Sequence, residues 1–207
     1  MPPKAKFTRE EIVLAALEVT RRSGIRAVTA RVVGAELKVS TRPIFTYFNS
    51  IDELKSAVLQ KAKEIYRSRL MRGMEDATPF LGIGKEYIRF AIEEKQLYRL
   101  IFLEASDFGL QHCAADTMRE TQELLRGFLM EKYKLDAKTA DSFYFDIWLA
   151  AHGIATLLVS EDCPIEREQI PQVLSRFSIA LFRAYKQIPG FVDGSFDKDR
   201  LYKDEIK

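Results

Sequence analysis

Apolar positions recur with a helical period along nearly the whole chain, and no useful run alternates with the two-residue period of a strand. Ile12, Ala16 and Val19 share one face of a first predicted helix, which Thr8 caps and a left-handed Gly24 ends. More apolar helices are predicted near residues 81–94, 97–105, 116–133, 137–160 and 168–188. The pattern therefore predicts an all-α protein.

Turn chemistry divides the next segment into short pieces. Thr29 is predicted to cap a second helix, in which Gly34 costs about 1 kcal/mol relative to alanine and so indicates close packing. A tight turn at Lys38 and Val39 is predicted to end this helix. The layout favours a helix-turn-helix motif.

The second half of the motif is predicted to be one very short helix followed by a longer one. Ser40 is expected to cap the short helix, which runs to Phe48 with Pro43 in its first turn. Ser50 and Glu53 have the spacing of a capping box for the following helix.

Ile44 and Phe48 are predicted to pack the short helix against the rest of the domain and to leave its other face free. A short helix with hydrogen-bonding side chains on its free face is typical of readout in the major groove of DNA. Backbone amides after Thr29 and Ser40 suit phosphate oxygens. The alternative is a purely structural αα corner. The polar residues of the free face are Ser40, Thr41, Arg42, Thr46 and Tyr47.

Charge is distributed unevenly. The chain has a net charge of +2, but residues 1–58 contain ten basic and six acidic side chains. A basic N-terminal quarter on a slightly acidic body favours contact with a polyanion, while a solvated surface of mixed charge is the alternative.

Composition favours an ordered protein without structural disulfides or a membrane span. The 207 residues are 47% hydrophobic, which excludes wholesale disorder, and two cysteines cannot form a disulfide framework. We expect a reduced cytoplasmic compartment and no signal peptide. The most apolar stretch, 143–159, is shorter than a membrane span and contains Asp146 and His152. It is expected to be a buried helix, with no membrane partner.

The helix-turn-helix region closely resembles the DNA-binding domain of the TetR (tetracycline repressor) family of bacterial transcription regulators. The resemblance continues into a C-terminal domain with a Trp148…His152-Gly153 signature and covers nearly the whole chain. The matching N-terminal positions are Thr29, Val33-Gly34, Leu37-Lys38-Val39-Ser40, Ile44, Phe45, Tyr47, Phe48, Ile51 and Leu54.

Three residues depart from the family pattern. Lys38 replaces the usual turn glycine and would adopt a left-handed conformation at small cost. Phe45 replaces a tyrosine and Ile51 replaces a lysine, so two phosphate contacts are lost. These departures favour the alternative of a helical interaction or scaffold protein that binds DNA weakly.

The resemblance implies an N-terminal three-helix domain at residues 1–50 and a helical effector-binding and dimerisation domain at 51–190. The tail at 191–207 is polar and expected to be frayed, with a short docked helix near residues 201–206 as the alternative for its end. It implies a ligand-responsive repressor that binds a palindromic operator as a homodimer. The DNA contacts predicted from spacing and resemblance are Thr29, Arg31, Ser40, Thr41, Arg42, Pro43, Thr46, Tyr47 and Lys55.

The C-terminal helices are predicted to bind a small hydrophobic effector and a second subunit. Aromatic groups with a few hydrogen-bonding tips suit a largely apolar molecule, although most such residues are simply core. The predicted lining residues are Tyr87, Phe90, Tyr98, Phe102, Tyr144, Trp148 and His152. The predicted dimer contacts are Ala151, Ile154, Ala155, Phe177, Leu181 and Tyr185.

Enzyme chemistry is not indicated. Adjacent residues seldom ligate one ion, so His112 and Cys113 do not predict a metal site. Gly82 and Gly84 lack the remainder of a phosphate-binding loop. We therefore expect neither catalytic residues nor a cofactor.

Overall fold

Helices make up the fold in the computed structural model, which describes residues 7–110 and 114–204. Within those ranges there is no strand, so the predicted all-α class is confirmed. The helices are α1 (Arg9–Ser23), α2 (Ala30–Glu36), α3 (Arg42–Tyr47), α4 (Ile51–Gly73), α5 (Pro79–Glu93), α6 (Lys95–Arg99), α7 (Ala114–Tyr133), α8 (Ala137–Val159), α9 (Ile170–Gln187) and α10 (Lys198–Asp204).

The helices form two compact units. The first contains residues 1–117 and 154–163, and the second contains residues 118–153 and 164–207. The predicted DNA-binding domain, residues 1–50, lies within the first unit. The predicted effector and dimerisation domain contributes residues to both units.

In the first unit, α4 and α5 approach each other at backbone distance. A Cβ atom added to Gly82 would lie 2.1 Å from the carbonyl oxygen of Gly73. Both positions therefore require glycine for packing, a role that no local sequence pattern indicates for Gly82.

An ion pair links α1 to the junction between α5 and α6, and irregular helical turns follow α6. The Arg21 guanidinium donates two hydrogen bonds of 2.9 Å to the carboxylate of Glu94, between α5 and α6. The chain then continues from α6 as a π-helical turn, Leu100–Glu104, and a 3₁₀ turn, Ala105–Phe108. Because π-helical turns are rare and often occur at functional sites, residues 100–104 are a candidate position for a functional site.

In the second unit, α8 and α9 pack through aromatic rings. The Phe143 ring centroid lies 5.9 Å from that of Phe182 and 6.1 Å from that of Tyr185. The Tyr185 hydroxyl also donates a 2.6 Å hydrogen bond to Asp146.

The described part of the C-terminal tail has regular contacts, contrary to the expectation of a frayed segment. The Phe191 ring packs edge-on against Tyr185 at 4.9 Å, and the Ser195 amide donates to the Gly190 carbonyl at 3.0 Å. The short helix predicted near residues 201–206 is α10, which begins three residues earlier.

Candidate DNA-binding surface and effector site

The turn between α2 and α3 has the predicted chemistry. The Thr29 hydroxyl caps α2 by accepting from the Val32 amide at 3.2 Å. Lys38 has a φ of 55°, so its predicted left-handed conformation is confirmed. A Cβ atom on Gly34 would lie 3.0 Å from the Val39 carbonyl oxygen, which explains the helix-interior glycine.

Three local predictions were wrong in detail. Ser40 does not cap α3, because the helix begins at Arg42 after Thr41, which makes no capping hydrogen bond. Gly24 has a φ of 76° but a ψ of 168°, so it ends α1 without adopting the left-handed helical conformation.

The third correction concerns the start of α4. The Ser50 hydroxyl caps the helix at 3.1 Å from the Glu53 amide, as predicted. The Glu53 carboxylate, however, accepts from the amide of Asn49 at 2.7 Å. The capping box is therefore displaced by one residue.

The helix α3 has a buried face and an exposed face. Ile44 and Phe48 are almost fully buried, and the Arg9 guanidinium lies 4.8 Å from the centre of the Phe48 ring. Phe45 is 52% exposed, so this face also carries an apolar ring, which the sequence pattern does not indicate. The exposed residues at this helix are Ser40, Thr41, Arg42, Phe45 and Thr46, which we call the α3 face.

Two predicted DNA contacts are engaged inside the protein. The Tyr47 hydroxyl donates to the carbonyl oxygen of Phe7 at 2.9 Å, so it holds the backbone just before α1. The Lys55 side chain is 16% exposed, and its Nζ atom lies 3.7 Å from Asp52 and 5.8 Å from the centre of the Phe108 ring. The geometry therefore does not favour Lys55 as a phosphate contact.

Exposed cations on α2, the turn and α3 are available for an anion. Arg31, Lys38 and Arg42 are exposed, and none of them takes part in an ion pair with a described carboxylate. Arg22, in contrast, is paired with Glu36. A surface with unneutralised cations attracts a polyanion.

Four of the predicted effector residues meet in the first unit. Tyr87, Phe90 and Phe102 are buried against Tyr66, and the buried Tyr98 contacts Tyr87 and Phe102. We call these five residues the aromatic cluster. Ring centroids in this cluster are 4.9–6.1 Å apart. The Tyr98 hydroxyl lies 3.2 Å from the Thr156 hydroxyl, and burial raises the pKa of Tyr98.

The remaining predicted effector residues belong to the second unit. Trp148 and His152 stack with ring centroids 4.6 Å apart and planes at 11°. Burial lowers the pKa of His152, so its neutral form is favoured near pH 7. Burial also raises the pKa of Tyr144, which shares a hydrogen bond with Thr121.

The exposed apolar residues of α8 differ from the dimer contacts predicted on this helix. Ala151, Ile154 and Ala155 are at most 7% exposed, so the chain itself already covers three of the predicted dimer contacts. On α9, Phe177 is 48% exposed, whereas Leu181 and Tyr185 are half-buried. The exposed large apolar residues of α8 are Phe145, Leu149 and Leu157.

The helix α8 is also long and apolar enough to cross a membrane by length and composition alone. A single helix with these properties is equally typical of a helical bundle of a soluble protein, so this property does not assign a membrane.

Side chains that could bind a metal ion do not cluster in the described part of the chain. Within residues 7–110 and 114–204, no group of three histidine, cysteine or carboxylate side chains is placed to bind a metal ion. His112 and Cys113, which were considered from the sequence, lie outside the described residues.

The described fold is all-α, and a tight turn joins its short helices α2 and α3. Residues 80–176 match the family model for the tetracyclin repressor-like C-terminal domain. Twelve solved chains are similar to this one. A TetR-family member from Streptomyces coelicolor A3, SCO1917, has a TM-score of 0.60 and 22% identity, covering 82% of this chain and 96% of that chain.

Two further structures have the same fold. The fatty acid degradation regulator FadR from Bacillus halodurans has a TM-score of 0.60 and 18% identity, covering 86% of this chain and 97% of that chain. The multidrug binding protein EbrR, complexed with imidazole, has a TM-score of 0.56 and 22% identity, covering 82% and 93%. No curated protein matches the sequence.

The structural likenesses show the fold, and the domain match covers residues 80–176. The C-terminal part of the chain is therefore similar to this domain, and the whole described chain has the same fold as the three solved structures. The Trp148…His152-Gly153 signature stays a prediction.

Proposed function

We propose that this chain is a TetR-family transcriptional repressor that binds duplex DNA through the α3 face and is released by a small apolar ligand. The observation that carries the proposal is the α3 face itself. Arg42 is exposed and has no described carboxylate partner, while the buried side chains of Ile44 and Phe48 anchor the opposite face of the helix. Arginine is the commonest specific reader of guanine in the major groove.

A homodimer would present two α3 faces to one palindromic operator. The two helices must then lie about 34–36 Å apart to enter successive major grooves. The exposed apolar residues Phe145, Leu149 and Phe177 support a second subunit as their cover, because their burial favours association. In this proposal the protein is cytoplasmic, non-enzymatic and without a cofactor.

Selection of bound fragments from random duplex DNA tests the proposal directly. The purified chain should enrich a palindromic sequence, and its affinity should fall steeply as salt rises because phosphate contacts release counterions. Failure to enrich any sequence, combined with weak binding at low salt, would favour the scaffold alternative.

We place the effector at the aromatic cluster. Its buried rings and tyrosine hydroxyls offer a largely apolar site with a few polar groups, which suits a neutral or singly charged organic molecule. The π-helical turn that carries Phe102 and the similarity to a multidrug binding protein support this assignment. Tyr144, Trp148 and His152 stay predicted ligand contacts from the sequence.

The effector site can be tested because ligand binding and DNA binding should be thermodynamically linked. Titration with aromatic compounds and medium-chain fatty acids should change the near-ultraviolet circular dichroism of the buried tyrosines and release DNA at the same concentrations. Tyr98→Phe should alter both responses together. A phosphorylated metabolite that releases DNA at low concentration would contradict an apolar site.

A further inference from the structure

The side chain of Phe45 lies exposed at the centre of a short helix whose other apolar residues are buried. It is 52% exposed, whereas Ile44 and Phe48 are at most 1% exposed. Isolated exposed apolar residues are common, so exposure alone assigns no partner to Phe45. Its neighbours do, because Thr41 and Arg42 precede it by four and three residues and therefore lie on the same helical face.

The charges carried by α2, the following turn and α3 indicate duplex DNA as the occupant of this face. Arg31, Lys38 and Arg42 are exposed without a described ion-pair partner, and this arrangement favours a polyanion over an apolar protein surface. Thymine presents the one apolar group among the base edges of the major groove, its 5-methyl group, and phenylalanine is among the side chains that contact it.

We infer that Phe45 is a specificity-determining residue that contacts the 5-methyl group of a thymine in each operator half-site. The inference rests on the proposed function. Side chains three positions apart on a helix have Cβ atoms about 5–6 Å apart, and base pairs are spaced by about 3.4 Å. The thymine read by Phe45 therefore lies within two base pairs of the guanine read by Arg42.

This assignment changes the meaning of a departure from the family pattern. A tyrosine at this position would offer a hydroxyl to a phosphate, whereas the phenyl ring of Phe45 offers only apolar area. The loss of a general phosphate contact is thus accompanied by a gain in base discrimination.

Deoxyuridine scanning of the selected operator tests the inference, since deoxyuridine lacks only the 5-methyl group of thymidine. One thymine position in each half-site should weaken binding of the parent protein by about fourfold when replaced, the value expected for one buried methyl group. Phe45→Ala should bind the unmodified operator more weakly and should be insensitive to the same replacement. Val32→Ala, at a second exposed apolar residue that is 40% exposed on α2, should keep the parent's scan.

The outcomes separate the two levels of the proposal. A Phe45→Ala protein that keeps the parent's full sensitivity at every thymine overturns the methyl contact while leaving DNA binding intact. An equal loss on all duplexes, with or without the methyl group, would assign Phe45 to the sugar–phosphate backbone and also overturn it. A parent chain that selects no duplex overturns the proposed function as well.

Discussion

Large apolar side chains are exposed on two surfaces of the molecule, α3 and α8, and the charges around them differ. Phe45 on α3 has Arg42 on the same helical face, with the exposed cations Arg31 and Lys38 nearby in the chain. On α8, residues 139–159 contain only two formally charged residues, and both are acidic. Equal exposure therefore suits different partners, a polyanion at α3 and a second apolar surface at α8.

Disrupting α8 should have the largest effect. Leu149 is 48% exposed, and Leu149→Glu would bury an unpaired carboxylate in the proposed dimer interface. The cost should be about 3 kcal/mol, or roughly two powers of ten in the dimer dissociation constant. Light scattering should report a monomer at micromolar concentration, with the helical circular dichroism of the parent retained.

Met130 provides a matched control, because it is 37% exposed on α7. Met130→Glu should remain dimeric. Ile154→Glu, at a residue already buried within the chain, should instead prevent folding. A Leu149→Glu protein that stays dimeric at micromolar concentration would remove α8 from the interface.

A smaller effect is expected from the glycine that fixes the α2–α3 turn. Gly34→Ala places a methyl group 3.0 Å from a backbone oxygen that cannot move freely, so we expect a loss of about 1–2 kcal/mol in unfolding free energy. Gly127→Ala, where the new methyl group has no described atom within 4 Å apart from its chain neighbours and its own helix backbone, should gain about 1 kcal/mol from helix propensity. Denaturant unfolding of the two variants should show opposite signs; equal shifts would mean that the turn does not approach Gly34.

The salt dependence of DNA binding should distinguish an exposed cation from an internal one. Arg31→Gln should reduce the slope of log affinity against log salt by about one unit, since Arg31 is exposed. Lys55→Gln should leave the slope nearly unchanged, because the Lys55 side chain is 16% exposed beside Asp52 and Phe108. A unit change for Lys55→Gln would restore the phosphate contact predicted from the sequence.

The smallest predicted effect is a pH dependence from His152. Burial lowers the pKa of His152 below its unfolded value near 6.5, so its stabilising contribution is present above that pH and is lost as pH falls. The unfolding free energy should therefore fall between pH 7.5 and pH 5.5, and His152→Gln should reduce that fall. An unchanged pH dependence in the variant would show that His152 is solvated in the folded chain.

Local rules explain which features the sequence predicts well. Thr29, Lys38 and Ser50 act through their own backbone neighbourhood, so their roles follow from residue type and spacing. The exposed face of α8 could not be predicted, because an almost uniformly apolar helix carries no signal for which side the chain covers. The internal partners of Tyr47 and Lys55 also depend on residues far away in the chain, Phe7 and Phe108, and no local pattern indicates them.

The most direct test of DNA recognition by α3 compares two arginines on the selected operator. Arg42 and Arg67 are both exposed, but Arg67 lies sixteen residues into α4, about 24 Å along the helix from its start. Fluorescence anisotropy should show that Arg42→Ala weakens specific binding by about 1–3 kcal/mol, roughly 5- to 150-fold, while Arg67→Ala stays within twofold of the parent. Parent-like affinity of Arg42→Ala for its best site would contradict the placement of α3 in the major groove.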